Sequence, residues 1–316
     1  MGSTNRFFGV VVLALGFGAT ALGGCSGAVC EGSSCASAAA GDDGDPGVEG
    51  DRAAPTRSLA AGYYHACGIK SDGYATCWGS NDQGQSEVPF TKLKSLAAGY
   101  SHTCGIRSDD TAICWGSNLS GEATAPAGTF KAITAGGYHS CGIRTDETVI
   151  CWGDDAHGES APPGGKFKAI SAGSGFTCGL HADGAATCWG YDGHGELVPP
   201  QGRFTALSTG VSHTCAVTTN STLECWGWDH DGQSTPPVGT YETVAAGWAH
   251  TCAMRTNGAP SCWGLADDGR TAPPSGKVRA IASGGSFSCA IKADGTVTCW
   301  GAAISGWPTS TTFIGP

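Results

Sequence analysis

The chain has 316 residues, only 14% of them charged, and its formal net charge at pH 7 is −10. A protein this acidic is a poor partner for nucleic acid or for an anionic membrane surface, because like charges repel. Its 17 cysteines are too many for a reducing cytosol unless most of them bind metal, so the composition points to export.

Residues 1–24 have the pattern of a signal peptide. Arg6 precedes an apolar run from Phe7 to Leu22, and the glycines in this run argue against a permanent membrane span. The run ends in Leu22-Gly23-Gly24-Cys25, which resembles the lipobox of bacterial lipoproteins. The resemblance implies cleavage before Cys25, lipidation of that cysteine and, since Ser26 is not acidic, sorting to the outer membrane at the cell envelope. Ordinary signal cleavage and secretion are the alternative.

Residues 25–57 are predicted to be a disordered tether between this anchor and the rest of the chain. The segment from Ala36 to Pro55 is rich in Ala, Gly and Asp and has almost nothing to bury. Cys30 and Cys35 are left over once the lipid anchor and the repeats below are counted. They could pair with each other, and the sequence leaves that pairing open.

Residues 58–316 divide into seven repeats of 37 residues without insertion or deletion. Self-similarity at this period is typical of a stacked or circular array of one small unit. The repeats are 58–94, 95–131, 132–168, 169–205, 206–242, 243–279 and 280–316.

The second repeat predicts three strands. Ser95–Ala98 ends an alternating run and precedes a glycine, His102–Arg107 forms the second strand, and Ala112–Gly116 forms the third after a polar turn. A fourth, short strand per repeat is left open. Seven such sheets close best as a β-propeller, so we predict an all-β, seven-bladed propeller. The tryptophan near the end of each third strand then favours packing between blades over a ligand site.

The recurring residues of the repeat resemble those of a known family. They are an Ala-Gly pair followed by histidine, an Asp-Gly turn, and Trp-Gly followed by Gly-Gln and proline, as in residues 61–89. This pattern resembles the repeat of the regulator of chromosome condensation family, and its 37-residue form is still more similar to beta-lactamase inhibitor protein II. The resemblance implies a propeller over residues 58–316. It says little about function, because the family includes nucleotide exchange factors, ubiquitin ligase modules and secreted inhibitors. The paired cysteines depart from the usual family repeat.

Each repeat carries two cysteines ten positions apart, on the second and third predicted strands. Directly opposed residues of an antiparallel hairpin have Cα atoms about 4.5–5.5 Å apart, within reach of a disulfide. We therefore predict one disulfide within each blade. The pairs are Cys67–Cys77, Cys104–Cys114, Cys141–Cys151, Cys178–Cys188, Cys215–Cys225, Cys252–Cys262 and Cys289–Cys299.

Zinc is the rival interpretation of these cysteines, since His102, Cys104 and Cys114 could supply three ligands. Phe176 and Phe287 replace the histidine in the fourth and seventh repeats, although both cysteines stay. We therefore expect a structural role for the recurring histidines, and we predict no metal and no cofactor. The recurring histidines are His65, His102, His139, His213 and His250.

The loops after the first and third strands of each blade are expected at the same end of the propeller. Their residues vary most between repeats and include Tyr, Trp and Asp, which favours recognition of a protein. In the beta-lactamase inhibitor that the repeat resembles, the corresponding loop face grips the enzyme. The alternative is that these are ordinary solvated loop residues. The predicted partner-binding residues are Tyr63, Tyr64, Tyr100, Tyr138, Asp154, Asp155, Tyr191, Asp192, Trp228, Asp229 and Trp248.

The sequence thus predicts an exported, lipid-anchored, monomeric scaffold that binds a protein and is not an enzyme. A carbohydrate or wall-polymer binder is the first alternative, since Tyr and Trp platforms would serve it too. Beta-lactamase inhibition and an enzyme using the central region are further alternatives, although no catalytic set is visible. Residues 192–195 and 229–232 match calcium loops only weakly. Ring closure is left open, with Thr311–Ile314 as a candidate closing strand.

Overall fold

The computed structural model describes Val10–Val11, residues 56–304 and Gly306. In this part of the chain the regular structure is β-strand, apart from one short 3-10 turn at Asp267–Gly269. The strands are β1 (Val10–Val11), β2 (Thr56–Ala61), β3 (His65–Lys70), β4 (Ala75–Gly79), β5 (Leu93–Ala98), β6 (His102–Arg107), β7 (Ala112–Gly116), β8 (Phe130–Ala135), β9 (His139–Arg144), β10 (Val149–Gly153), β11 (Phe167–Ala172), β12 (Phe176–His181), β13 (Ala186–Gly190), β14 (Phe204–Thr209), β15 (His213–Thr218), β16 (Leu223–Gly227), β17 (Tyr241–Ala246), β18 (His250–Arg255), β19 (Pro260–Gly264), β20 (Val278–Ser283), β21 (Phe287–Lys292) and β22 (Val297–Gly301).

These strands form seven antiparallel blades, each made of three consecutive strands in sequence order. Blade 1 is β2–β4, and the following triplets make blades 2 to 7 in chain order. The predicted propeller is confirmed. The first strand of blade 1 begins at Thr56, two residues before the predicted start of the first repeat.

Seven disulfides join the second and third strands, one in each blade, as predicted. In blade 2 the hairpin register places Cys104 opposite Cys114, and their Cα atoms are 4.0 Å apart. The zinc interpretation is therefore wrong, because sulfurs joined in a disulfide are not free thiolates.

The tryptophan of each third strand packs between two blades. Trp152 of blade 3 lies in a buried cluster with Cys104 and Ile106 of blade 2 and with Phe130 and Ile133 of its own blade. In six blades the indole Nε1 also donates to a loop carbonyl oxygen of the preceding blade, at 2.9–3.1 Å. The tryptophans are thus apolar wedges that carry a directional hydrogen bond.

The recurring histidines also connect neighbouring blades. The Ser140 hydroxyl donates to the Glu122 carbonyl oxygen at 3.0 Å, so it accepts from His102 Nε2, 2.9 Å away. His102 Nδ1 is buried and has no hydrogen-bond partner among the described residues. Burial lowers the pKa of His102 from its ordinary value of 6.5 to about 4, because a charged ring would have no water around it. The structural role expected for these histidines is what the structure shows.

Blades 7 and 1 pack against each other and close the ring. The Gly285 amide donates to the Tyr63 carbonyl oxygen at 3.2 Å. Leu59 and Trp78 of blade 1 share a buried cluster with Phe287 of blade 7, and Ile304 packs against that cluster. The candidate closing strand at residues 311–314 lies outside the described residues.

Short strand β1 pairs antiparallel with β2, with Val10 opposite Ala61 and Val11 opposite Ala60. It lies next to the first strands of all seven blades, which therefore surround the axis of the ring. The remaining residues of the predicted signal peptide, together with Cys25, Cys30 and Cys35, lie outside the described residues. In the described part of the chain, no helix has the length and apolar character needed to cross a membrane.

Candidate binding face

The two loops of each blade meet at one end of the propeller, as expected from the strand order. In blade 2 the Ser117 amide donates to the Ser101 carbonyl oxygen at 2.8 Å, and in blade 3 the Asp154 amide donates to the Tyr138 carbonyl oxygen at 2.7 Å. We call this end the loop face. It consists of residues 62–64 and 80–87 of blade 1 and the residues that follow them at intervals of 37.

Tyrosines of three neighbouring blades lie in a row on this face. The ring centroids of Tyr63 and Tyr100 are 4.9 Å apart in a stacked arrangement, and those of Tyr100 and Tyr138 are 6.0 Å apart. Tyr64 is 47% exposed, whereas Tyr63 is only 7% exposed. Burial raises the pKa of Tyr63 and of Tyr100, so both phenols stay neutral.

The burial of Tyr63 corrects the expectation that all the predicted aromatic residues are exposed. Its ring packs on Tyr64 and Tyr100 and lies against Gly285 of blade 7. Tyr63 therefore covers the junction between the first and last blades, and Tyr64 presents the accessible ring.

A second aromatic group lies on blades 3 to 5. The Tyr191 ring is 5.0 Å from His157, and the Trp228 ring stacks on His194 at 5.5 Å between centroids. Tyr191 is 45% exposed. His157 was not among the predicted partner-binding residues. Its signal in the sequence is that it stands 37 positions before His194, at the same place in the repeat.

Trp248 of blade 6 is half-buried beside a buried arginine. The Arg270 guanidinium carbon is 5.7 Å from the indole centroid, which is a cation–π geometry. Arg270 also donates from Nη2 to the Asp268 carboxylate at 2.9 Å and from Nε to the Asp267 carbonyl oxygen at 2.9 Å. Sequence reasoning missed Arg270, which stands where each of the first five repeats has Gln or Glu.

That Gln or Glu is buried and stiffens the loop after the third strand. Glu122 Oε2 accepts from the Ser120 amide at 2.7 Å, Glu159 Oε2 from the His157 amide at 2.7 Å, and Glu196 Oε2 from the His194 amide at 2.6 Å. The carbonyl oxygen of the same residue accepts the indole hydrogen bond of the next blade, as Glu122 does from Trp152. The loop face is thus tied directly to the packing between blades.

Three of the predicted acidic residues have local roles in their own loops. Oδ1 of Asp155 accepts from the Ser160 amide at 3.0 Å, and Oδ1 of Asp229 accepts from the Ser234 amide at 2.7 Å. Asp192 has the equivalent bond from the Leu197 amide at 3.4 Å. Within residues 56–304, no group of three or more His, Cys, Asp or Glu side chains is placed to hold a metal ion, so the two weak calcium-loop matches form no such group.

The predicted residues Tyr138, Asp154 and Tyr191 are brought together around one cavity between blades 3 and 4. The cavity has a volume of about 110 Å³ and opens on the loop face. Its lining residues are Tyr138, Asp154, His157, Glu159, Ser174, Gly175 and Tyr191.

A larger cavity of about 410 Å³ lies between blades 1 and 2, at the end where the hairpin turns emerge. It is lined by Asp72, Lys92 and Lys94 together with small and aliphatic residues, and by none of the predicted site residues. Of these two cavities, the aromatic and acidic one lies on the loop face, where the sequence predicted binding.

Solved structures with the same architecture include two plant receptor ectodomains and a yeast protein. The ectodomain of the Physcomitrella patens receptor kinase CR4 is 26% identical with a TM-score of 0.70, covering 82% of this chain and 76% of that chain. The CRINKLY WD40 ectodomain of the Arabidopsis thaliana receptor kinase ACR4 is 25% identical with a TM-score of 0.66, covering 81% and 97%. Prp20p from Saccharomyces cerevisiae is 15% identical with a TM-score of 0.64, covering 79% and 83%, a similarity that bears on the fold alone.

No curated protein matches the sequence significantly. The family model described as the regulator of chromosome condensation (RCC1) repeat matches six segments, which together cover more than half of the chain. These segments are 57–85, 93–122, 130–159, 167–196, 204–233 and 278–303. The three strands of the sixth blade, Tyr241–Ala246, His250–Arg255 and Pro260–Gly264, lie outside the matched segments and still form a blade. The chain therefore belongs to the regulator of chromosome condensation repeat family.

Proposed function

We propose that this chain is an exported scaffold that recognises a protein partner through the loop face, without catalysing a reaction. Propellers of this family are generally binding or exchange-factor scaffolds. The plant ectodomains at 25–26% identity are extracellular parts of receptors, which agrees with a role in recognition outside the cell.

The observation that carries the proposal is the distribution of aromatic side chains on the loop face. Positions inside the blades hold nearly the same residue in every repeat. The loop-face positions vary, and they hold the exposed Tyr64 and Tyr191 and the half-buried Tyr138 and Trp228 in some blades and other residues in the rest. Exposed tyrosine and tryptophan are enriched at protein-binding sites, where they bury a large area at a low cost in side-chain entropy.

The compartment follows from the cysteines. Seven disulfides are typical of an oxidising environment, which supports a place outside the cytosol for the folded chain. We propose further that Cys25 carries lipid and anchors the protein at the outer membrane, on the strength of the Leu22-Gly23-Gly24-Cys25 pattern. Metabolic labelling with a fatty acid tests this: label lost in Cys25→Ala supports the anchor, and label retained contradicts it.

The binding proposal is tested with the full chain carrying Tyr64→Ala, Tyr100→Ala, Tyr191→Ala and Trp228→Ala, used to capture partners from the native envelope. The matched control is Tyr74→Ala with Phe90→Ala, an aromatic pair stacked at 5.0 Å near the turn end. We expect the loop-face variant to lose its partner and the control to keep it. A loop-face variant that keeps every partner contradicts the proposal.

A carbohydrate or wall polymer is the second candidate, favoured by the stacked rings of Trp228 and His194, which could form a platform for a sugar. Binding of the full chain to an array of glycans, abolished by Trp228→Ala, would favour this candidate. Inhibition of a beta-lactamase and turnover of a panel of chromogenic substrates test the two remaining alternatives directly.

A further inference from the structure

The cavity between blades 3 and 4 contains a buried carboxylate with an unused oxygen. Glu159 is 3% exposed and lines the cavity, and its Oε2 accepts from the His157 amide at 2.7 Å. Its other oxygen, Oε1, receives no hydrogen bond and no ion pair from the described residues. This oxygen is therefore an acceptor on the cavity wall for which a ligand can supply the donor.

Neighbouring blades show what this oxygen normally has. In blade 2 the equivalent oxygen, Glu122 Oε1, accepts from the Ser117 hydroxyl at 2.7 Å. In blade 4 Glu196 Oε1 lies 3.3 Å from His194 Nδ1. Each of these carboxylates is therefore supplied with a donor from its own loop.

In blade 3 neither of these donors reaches the carboxylate. The residue at the position of Ser117 is Asp154, a second carboxylate, which also lines the cavity. The residue at the position of His194 is His157, whose ring lies against Tyr191 at 5.0 Å. The Ser160 hydroxyl donates to the Asp154 backbone carbonyl oxygen at 2.7 Å, but the Asp154 carboxylate has no ion pair or hydrogen bond within residues 56–304. Two carboxylates thus face one cavity, and neither is neutralised there.

The next blade leaves this pair accessible because of a glycine. A Cβ atom added to Gly175 would lie 3.8 Å from Glu159 Oε1, so a side chain at this position would stand over the oxygen. The equivalent residues of the three preceding blades are Tyr64, Ser101 and Tyr138, and that of the following blade is Ser212. Among the seven repeats, only the fourth has glycine there, so the opening belongs to this one interface.

We propose that this cavity binds the cationic side chain of an arginine or lysine presented by the protein partner. The two carboxylates supply the negative charge and the hydrogen-bond acceptors that a guanidinium or ammonium group needs. The aromatic rings of Tyr138 and Tyr191 also line the cavity, and the face of an aromatic ring attracts a cation. The proposal rests on the function proposed above and names the chemical group that the loop face selects.

The site is tested on the full chain with N-acetyl-arginine amide as the probe and N-acetyl-citrulline amide, its neutral analogue of the same shape, as the control ligand. Binding is measured by calorimetry and by its decrease with added salt. We expect the arginine probe to bind and the citrulline probe to bind at least about tenfold more weakly.

Two variants introduce residues that other blades have at the equivalent positions, so we expect both variants to fold. Asp154→Ser gives blade 3 the Ser–Glu pair of blade 2, and Glu159→Gln copies Gln85 and Gln233 of blades 1 and 5. We expect each to weaken the arginine probe about tenfold. Glu242→Gln, an exposed residue of β17 with the same change in charge, should alter binding less than about twofold.

Equal binding of the two probes, or unchanged binding in both cavity variants, overturns the proposed site. That result is distinguishable from a failure of the proposed function. If the aromatic loop-face variant still loses its partner, the scaffold function stands without this site. If the arginine probe binds the cavity but the aromatic variant keeps every partner, the site stands and the scaffold function fails.

Discussion

The same loops contribute to the loop face and to the interfaces between neighbouring blades. The repeat residues are constant at these interfaces, whereas on the loop face they vary from blade to blade. At the interfaces, an indole donates to a carbonyl oxygen of the preceding blade at 2.9–3.1 Å in six blades, always from the same repeat position. On the loop face, one repeat position holds Tyr64, Ser101, Tyr138 and Gly175 in the first four blades. Packing between blades therefore requires tryptophan at the interface position. It places no such requirement on the loop-face position, which is free to vary for recognition.

Removing one wedge should have the largest effect on stability. Trp115→Ala deletes a side chain packed against Leu93 and Leu96 of its own blade and Cys67 and Ile69 of blade 1. It also deletes the hydrogen bond to the Gln85 carbonyl oxygen at 3.0 Å. We expect the free energy of unfolding, measured by urea titration, to fall by about 3–5 kcal/mol.

Trp228→Ala is the matched control, because it removes the same side chain from the loop face. It should cost less than half as much stability while abolishing capture of the partner. Similar losses of stability in the two variants would contradict the view that the interface tryptophan stabilises the fold more than the loop-face tryptophan does.

Removing one disulfide should have the second-largest effect on stability. The double variant Cys104→Ala with Cys114→Ala reopens a short loop in the unfolded chain, and we expect a loss of about 3 kcal/mol in the free energy of unfolding. The loop face should keep its partner, since Cys104 is buried inside the blade. A variant as stable as the parent would show that strand pairing alone holds the hairpin.

Acid should destabilise the interfaces through the buried histidines. Burial lowers the pKa of His102 in the folded chain from 6.5 to about 4, so between these values the unfolded chain binds the proton more readily. The free energy of unfolding therefore falls as pH falls from about 6.5 to 4, by about 3 kcal/mol for this histidine. Above pH 6.5 His102 is neutral in both the folded and the unfolded chain, so this loss of unfolding free energy is absent.

His102→Phe, which copies Phe176 and Phe287, should reduce this pH dependence, and Phe176→His should increase it. In Phe176→His the new imidazole has a hydrogen-bond acceptor in the Thr214 hydroxyl. Thr214 follows residue 176 by 38 positions, as Thr103 follows His65. Both are followed by urea unfolding at pH 7 and pH 4.5. Parallel curves for parent and variants would mean that the histidines do not set the acid response.

The smallest effect is expected at the end where the hairpin turns emerge. Lys94 and Asp110 form an ion pair of 2.6 Å there, with 48% and 47% of their side chains exposed. Lys94→Ala should change the free energy of unfolding by less than about 1 kcal/mol, because water screens the pair. Partner capture should also be unchanged, and a clear loss of capture would extend the binding face to the opposite end.

The local sequence pattern was sufficient to predict the strands and the disulfides of the blades. Strands His102–Arg107 and Ala112–Gly116 have the predicted bounds, because alternation and flanking glycines are properties of the segment itself. The disulfides followed from the opposition of two cysteines in one hairpin. The sixth blade, which the family model does not match, obeys the same local rules.

The details of the face were harder to predict because they depend on contacts between blades. Tyr63 looked like an exposed loop residue, and it is buried because Tyr100 and Gly285 approach it from the two neighbouring blades. The unused oxygen of Glu159 depends on Asp154 in its own loop and on Gly175 in the next blade. No single repeat contains this information, although aligning the seven repeats would have singled out the glycine.

The indole hydrogen bonds also determine how the protein can meet a partner. Each one ends on the residue whose side chain holds a loop of the face, so the distance between adjacent loops is set by the width of a blade. A ligand that spans several blades meets a preorganised template and need not order it on binding. Selectivity can then come from the spacing of a partner's anchor residues as much as from their chemical type.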